Sequence, residues 1–268
     1  MSAIARGAGA APGTNTPAGE TRPLLELKDV HTHIGAYHIL HGVDLTVPAG
    51  QVTMLLGRNG AGKTTTLRTI MGLWKASQGN VRFDGEAAGG PGVRVSPPDM
   101  ARRGVAYVPE NMGIFADLSV KENILLAARG AANASQLDTA RLEWIFGFFP
   151  ALRKFWLHPA GKLSGGQKQM LAVARAIIEP RRLLLIDEPS KGLAPAIVQN
   201  MIDAFIELKQ AATTILLVEQ NFNFARQVGD RVAVMDDGRV VHAGGMAQLA
   251  EDEALQMRLL GLSLGSHQ

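Results

Sequence analysis

The sequence predicts an α/β fold with a mixed core sheet, and three stretches carry the prediction. Residues 52–56 (V-T-M-L-L) form a short apolar run of strand type. It leads straight into Gly57-Arg58-Asn59-Gly60-Ala61-Gly62-Lys63-Thr64-Thr65. Residues 183–186 (L-L-L-I) form a second apolar run, ending in Asp187-Glu188. Buried strands of parallel sheets read this way, and such sheets place ligands at the carboxyl ends of their strands. Ahead of both, residues 24–32 and 43–47 alternate apolar and polar side chains in part. With 81–83 and the tight turn Asp84-Gly85 they point to an antiparallel portion beside the core.

The spacing that begins at Gly57 is G-x-x-x-x-G-K-T, a phosphate-binding pattern with a direct physical basis. Glycines let backbone N–H groups turn inward around a polyphosphate. A helix opening over 66–72 points its positive end at the same anion. Lys63 supplies a mobile charge for the β- and γ-phosphates, and the Thr64 hydroxyl suits Mg²⁺. The glycines run G-x-x-G-x-G, which excludes the dinucleotide fingerprint.

The rest of the chain fits around these stretches. Residues 1–23, rich in Ala, Gly, Thr and Pro, read as a disordered tail without the apolar run of a signal peptide. Pro48-Ala49-Gly50 is a turn, and the Gly/Pro-rich 86–98 reads as a surface loop. A short strand at 105–108 ends in Pro109-Glu110. Ser119 with Glu122 three residues on caps a helix running through 129. A second helix covers 137–149, with Trp144 and Phe148 as core packing. Leu163-Ser164-Gly165-Gly166-Gln167 precedes an amphipathic helix over 168–178. Ser164 followed by two glycines is either a second anion cradle or an ordinary cap. A helix over 197–209, a strand over 213–218, a short helix over 222–228, a hairpin around Asp236-Asp237-Gly238 and one helix over 246–260 complete the chain. Beside a phosphate loop, Asp187 and Glu188 read as the acidic strand end that faces Mg²⁺ and the attacking water.

Composition sets outer limits. The 268 residues are 46% apolar, enough for a substantial core. A net charge of +3 argues weakly for a nucleic-acid partner, and the absence of cysteine removes disulfides and thiolate zinc sites. No apolar run approaches the roughly 18 residues needed to span a bilayer.

A phosphate loop, then Leu-Ser-Gly-Gly-Gln, then an apolar strand ending Asp-Glu resembles the ATP-binding cassette (ABC) ATPases, over about 24–262. Tyr107-Val108-Pro109-Glu110, Glu188-Pro189-Ser190-Lys191-Gly192-Leu193-Ala194-Pro195 and Leu217-Val218-Glu219-Gln220-Asn221 resemble one subgroup. It comprises the smaller ATPase subunits of branched-chain amino acid importers. The resemblance implies a P-loop core with an antiparallel β portion, a helical lobe inserted over about 116–175 and a tail over 263–268. It implies ATP and Mg²⁺ as cofactors, bound by Gly57, Arg58, Asn59, Gly60, Ala61, Gly62, Lys63, Thr64 and Thr65. Thr64, Asp187 and Glu110 would serve the metal. Glu188 would polarise the water as general base and Gln220 would sense the γ-phosphate. Ser164, Gly165, Gly166 and Gln167 would close over the nucleotide of a second cassette, in a homodimer or, preferentially, a heterodimer. The further implied partners are membrane permeases and, indirectly, a periplasmic solute-binding protein, with no nucleic acid. The implied location is peripheral, on the cytoplasmic face of the inner or plasma membrane.

Four positions depart from the broader pattern. Gln220 stands where most cassettes carry a histidine, and Glu110 where most carry a glutamine. Ala194 replaces a common aspartate. Ile34 stands where an adenine-stacking tyrosine is expected, with Tyr37 three residues on as a possible substitute or Ile34 itself as a plain apolar contact. The implied function is ATP hydrolysis driving solute import. Branched-chain amino acids are favoured, with urea, short amides or other amino acids as alternatives. A soluble cassette acting on DNA or ribosomes lacks its zinc cysteines and basic arms here. A non-hydrolysing regulatory module is at odds with an intact Glu188.

Overall fold

The computed structural model describes residues 22–128, 133 and 137–261. Most of the expected N-terminal tail, all of the C-terminal one and the expected end of a helix at 129 lie outside the described residues. Two sheets face each other across a core. The first is antiparallel: β1 (Pro23–Ile34), β2 (Tyr37–Pro48), β4 (Ala76–Phe83) and β5 (Glu86–Gly89), in the order β2-β1-β4-β5. The second holds β3 (Val52–Gly57), β6 (Val105–Val108), β7 (Leu183–Asp187), β8 (Thr214–Glu219), β9 (Arg231–Asp236) and β10 (Arg239–Gly245), in the order β10-β9-β3-β8-β7-β6. Its strands from β9 to β6 run parallel, and β10 is an antiparallel edge.

Helix α1 (Lys63–Ile70) lies between the sheets, and a Thr32–Thr69 hydroxyl bond of 3.1 Å ties it to β1. It begins at Lys63, earlier than the sequence suggested, so the lysine of the phosphate-binding pattern is itself in the first turn. Alternate residues of β3 serve two cores. Leu55 packs with the antiparallel sheet and α1, while Val52, Met54 and Leu56 pack with the helices on the other side. That second core continues into the helical lobe, made by α3 (Val120–Ala127), α4 (Thr139–Phe148), α5 (Pro150–Lys154), a 3₁₀ turn (Ala160–Lys162) and α6 (Gly165–Ile177). The remaining helices are α7 (Pro195–Gln210), α8 (Phe222–Val228), α9 (Met246–Glu251) and α10 (Glu253–Leu260).

Several expectations need correction, each for a local reason. Strand β1 opens at Pro23, inside the stretch read as a tail. Strand β2 starts six residues before the predicted 43. Its first half carries histidines that face His31 and His33 of β1, and the His33 and His38 rings stack 4.1 Å apart. Such rings satisfy neither an apolar nor a polar alternation. Residues 86–98 are not all loop. Asp84 and Gly85 both adopt left-handed φ, a hairpin turn that folds Glu86–Gly89 back on β4. Ser96 and Asp99 then form a reciprocal cap that starts α2 (Pro97–Arg102). The predicted last helix breaks at Asp252, whose side chain accepts from the Leu255 N–H and starts α10 afresh. Trp144 and Phe148 do pack, half-buried and edge to face, against the lobe core.

Candidate functional site

The site forms where β3 and β7 end and their loops meet the loops after β6 and β8. Gly57 has φ 148°, and a Cβ there would lie 2.3 Å from the Met235 carbonyl oxygen. Only glycine lets the chain turn so close to β9. Gly60, φ 83°, has open space where a Cβ would stand, and Gly62 supplies the left-handed cap from which α1 starts. The result is an exposed Arg58-Asn59-Gly60 rim over a helix N-terminus. Lys63 is buried, and its Nζ donates to the carbonyl oxygens of Gly57 and Arg58 at 2.9 Å each. Burial pulls its pKa down, against the opposing pull of Glu188 and Asp187.

The acidic strand end is paired to this loop. Thr64 Oγ1 donates to Asp187 Oδ1 at 3.1 Å, across 123 residues of sequence. The other oxygen, Asp187 Oδ2, is buried with no hydrogen-bond partner. Desolvation pushes the Asp187 pKa up to about 6; the Thr64 bond opposes this and the Glu188 and Glu110 charges add to it. A hydroxyl and a carboxylate with one orphaned oxygen are the donors expected for Mg²⁺, which takes one or two protein ligands plus phosphates and water. The residues present therefore fit that metal.

The raised pKa has a stability consequence. A carboxyl with a folded pKa above its unfolded one stabilises the fold only while protonated; the contribution fades as pH rises through about 6. Asp187→Asn is therefore expected to melt a few degrees higher than the parent at pH 7.5, from on the order of 2 kcal/mol. The difference should vanish at pH 4. Melting curves of the nucleotide-free proteins at both pH values decide this, and equal melting temperatures at pH 7.5 would refute it.

Glu188, one residue on, is 8% exposed and has a left-handed backbone, φ 48°. That conformation costs a non-glycine residue roughly 1–3 kcal/mol, and it turns the carboxylate away from the sheet and over the phosphate loop. Its Oε1 accepts from Gln220 Nε2 at 2.5 Å and lies 3.7 Å from Lys63 Nζ. Gln220 Nε2 also donates to Asn59 Oδ1 at 2.7 Å, joining the loop after β8 to the phosphate loop. The structure thus brings Lys63, Thr64, Asp187, Glu188 and Gln220 together. Glu110, which the resemblance gave to the metal, is turned instead to Lys191, Nζ to Oε1 2.6 Å.

Ser164 caps α6 in a reciprocal box with Gln167: the Ser164 N–H donates to Gln167 Oε1 at 2.9 Å, and the Gln167 N–H to Ser164 Oγ at 3.3 Å. Among the described residues, no hydrogen bond joins 164–167 to the chain's own phosphate loop. Ser164 and Gly165 are exposed, leaving the N-terminus of a helix of 13 residues open on the surface. Ile34 is half-buried at the tip of β1, and its cross-strand partner Tyr37 is 76% exposed.

Two residues of the site have no signature of their own in the sequence. Glu219, 2% exposed, accepts backbone N–H bonds from Ser190 (2.9 Å), Gln220 (3.0 Å) and Asn221 (3.2 Å). Burial raises its pKa and those bonds lower it. Lys191 lies between Glu110 and Glu188.

Known proteins resemble this chain over most of its length. The sequence profile described as ABC transporter matches residues 40–191. The high-affinity branched-chain amino acid transport ATP-binding protein BraG of Pseudomonas aeruginosa is 36% identical over 239 residues, 89% of this chain and 100% of BraG. A probable branched-chain amino acid transport ATP-binding protein, LivF of Archaeoglobus fulgidus, is 34% identical over 84% of this chain and 93% of its own length. The glutamate transport ATP-binding protein GluA of Corynebacterium glutamicum is 32% identical over 81% and 89%. Among solved structures, a dimeric bacterial ABC transporter cassette superposes with a TM-score of 0.72 at 25% identity, covering 83% of this chain and 98% of that one. On the strength of the profile and of these relatives, the chain belongs to the ABC transporter family, as one of its ATP-binding cassettes.

Proposed function

We propose that this cassette hydrolyses ATP to drive import of branched-chain amino acids through separate membrane permeases, with urea, short amides or other amino acids as the alternative solutes. The carrying observation is the convergence of Lys63, the Thr64–Asp187 pair and Glu188 at the ends of β3 and β7. Two relatives named for branched-chain amino acid transport support the solute, and GluA supplies the alternative.

The chain's own residues divide the work. The backbone of Gly57–Thr65 wraps the phosphates, and Lys63 Nζ turns from two carbonyls toward the β- and γ-phosphates. Thr64 Oγ1 and Asp187 would hold Mg²⁺, whose charge would offset that of the phosphoryl oxygens. Glu188 takes the proton of the attacking water on its carboxylate, and the Gln220 amide fixes the orientation of that carboxylate. Gln220 has no charge change near neutral pH, so it acts by hydrogen bonding alone. Ser164–Gln167 faces outward and meets the nucleotide of a second cassette, head to tail. That second cassette is a different chain in the favoured arrangement, and the pair sits on the cytoplasmic face of the membrane. Among the described residues no helix is long and apolar enough to cross a membrane.

A groove of about 500 Å³ between the two lobes suits the permease. Met71, Pro97, Tyr107, Met112, Ala172 and Arg175 line it. At its edge Phe115, 50% exposed, lies under the Arg175 guanidinium at 5.1 Å. Vesicles holding the permeases, both cassettes and a periplasmic binding protein are expected to accumulate leucine and valine with ATP, and glutamate or urea at background. A cysteine at Phe115, the only one in the chain, should crosslink to a permease loop. Uptake of urea or glutamate in place of leucine would move the solute assignment. Crosslinks that never form from 115 would move the docking site.

A further inference from the structure

Three carboxylates act on the site: Glu188 lies 3.7 Å from Lys63, Asp187 is beside it, and the charge of Glu110, though turned to Lys191, is felt at Asp187. A carboxylate at 110 adds a full negative charge beside the place where the phosphates enter. At about 10 Å and an effective dielectric near 20, one unpaired charge shifts the binding of another by on the order of 1–2 kcal/mol.

Lys191 answers that charge. Its Nζ lies 2.6 Å from Glu110 Oε1 and 3.2 Å from Glu188 Oε2. Glu110 is on the loop after β6, 81 residues away in sequence, and Glu188 is three residues away on the turn after β7. One ammonium therefore bridges the inter-lobe loop and the catalytic turn. It takes the Glu188 oxygen more distant from Lys63 and Gln220, so all these partners together fix both oxygens of that carboxylate. The backbone supports the placement: the Lys191 N–H donates to the Glu188 carbonyl at 3.3 Å, and the preceding Ser190 N–H is held by Glu219. An exposed ion pair contributes little to stability. Here one partner, Glu188, is buried, so the pairing bears on the site more than on the fold.

We propose that Lys191 is a positioning residue for ATP hydrolysis: its ammonium neutralises Glu110 and holds it against Glu188, so that a carboxylate at 110 is compatible with bound triphosphate. The inference rests on the reading of this site as an ATP-hydrolysing one. It makes positions 110 and 191 a charge pair: remove the lysine and the glutamate becomes harmful to triphosphate binding, remove both charges and binding recovers.

The test is ATP binding by calorimetry in EDTA, with no metal present, alongside turnover with the sister cassette. Lys191→Met is expected to weaken metal-free binding about tenfold. Adding Glu110→Gln to that variant should restore affinity to within about threefold of the parent, while turnover at saturating ATP should fall in Lys191→Met and stay below the parent in the double variant, which still lacks the Lys191 contact with Glu188. Lys191→Arg should keep parental affinity, and melting curves check that every variant is folded. Unchanged affinity in Lys191→Met, or no recovery of affinity in the double variant, overturns the proposal. A parent protein that neither binds nor hydrolyses ATP overturns the functional reading instead, and the two failures are told apart by the parent alone.

Discussion

Glu188→Gln is expected to lower ATP turnover by about 10²–10⁴-fold while ATP stays bound between two closed cassettes. The amide keeps the shape of the carboxylate and its left-handed turn, but accepts a proton poorly. The neighbours of Glu188 make the substitution mild for the fold. Gln220 bonds to Oε1, which an amide oxygen can replace, and Lys191 meets Oε2, where an amide nitrogen leaves Lys191 to Glu110 alone. Light scattering with ATP and Mg²⁺, with and without the sister cassette, reports association. Adding Ser164→Arg should abolish it, because Ser164 is exposed at the open start of α6 and a long side chain there blocks a facing subunit. Parental turnover in Glu188→Gln with the partner present would remove Glu188 as the base. Absence of ATP-driven association in either mixture would remove the head-to-tail role of residues 164–167.

Lys63→Ala is expected to weaken ATP binding by roughly 10²-fold or more, since charge-assisted hydrogen bonds contribute about 1.5–3 kcal/mol each. The fold should survive. Burial already works against the Lys63 charge, and its two bonds to Gly57 and Arg58 join neighbouring residues of one loop. Circular dichroism unchanged from the parent, with affinity lost by calorimetry, is the expected pair of results. Parental affinity would overturn the assignment of the phosphate loop.

What was legible in the sequence is what is encoded locally. The phosphate loop, the Ser119 and Ser164 caps and the apolar strand ending in Asp187 each declare themselves within a few residues, and the structure contains all of them. Strand β5 and helix α2 were hidden because a Gly/Pro-rich stretch looks irregular even where a hairpin turn and a serine cap give it order. The break at Asp252 was hidden because the apolar pattern runs on across it. The charge pattern of the site was the least legible part. Glu110 reads as a metal ligand by resemblance, and its contact with Lys191 is made by two loops 81 residues apart. Likewise the buried Glu219 looks like the polar end of a strand until the three N–H groups around it are seen.

That Glu219 carboxylate works as a clasp. It grips the chain just after the Glu188 turn, at Ser190, and the chain that carries Gln220, on the neighbouring strand end. The two loops are joined at their buried ends by three N–H bonds to this one side chain. The Gln220 and Ser190 N–H groups share this one carboxylate, and Lys191 and Gly192 follow Ser190 on the exposed rim. One buried acid thus ties the strand end that carries Gln220 to the rim that carries Lys191.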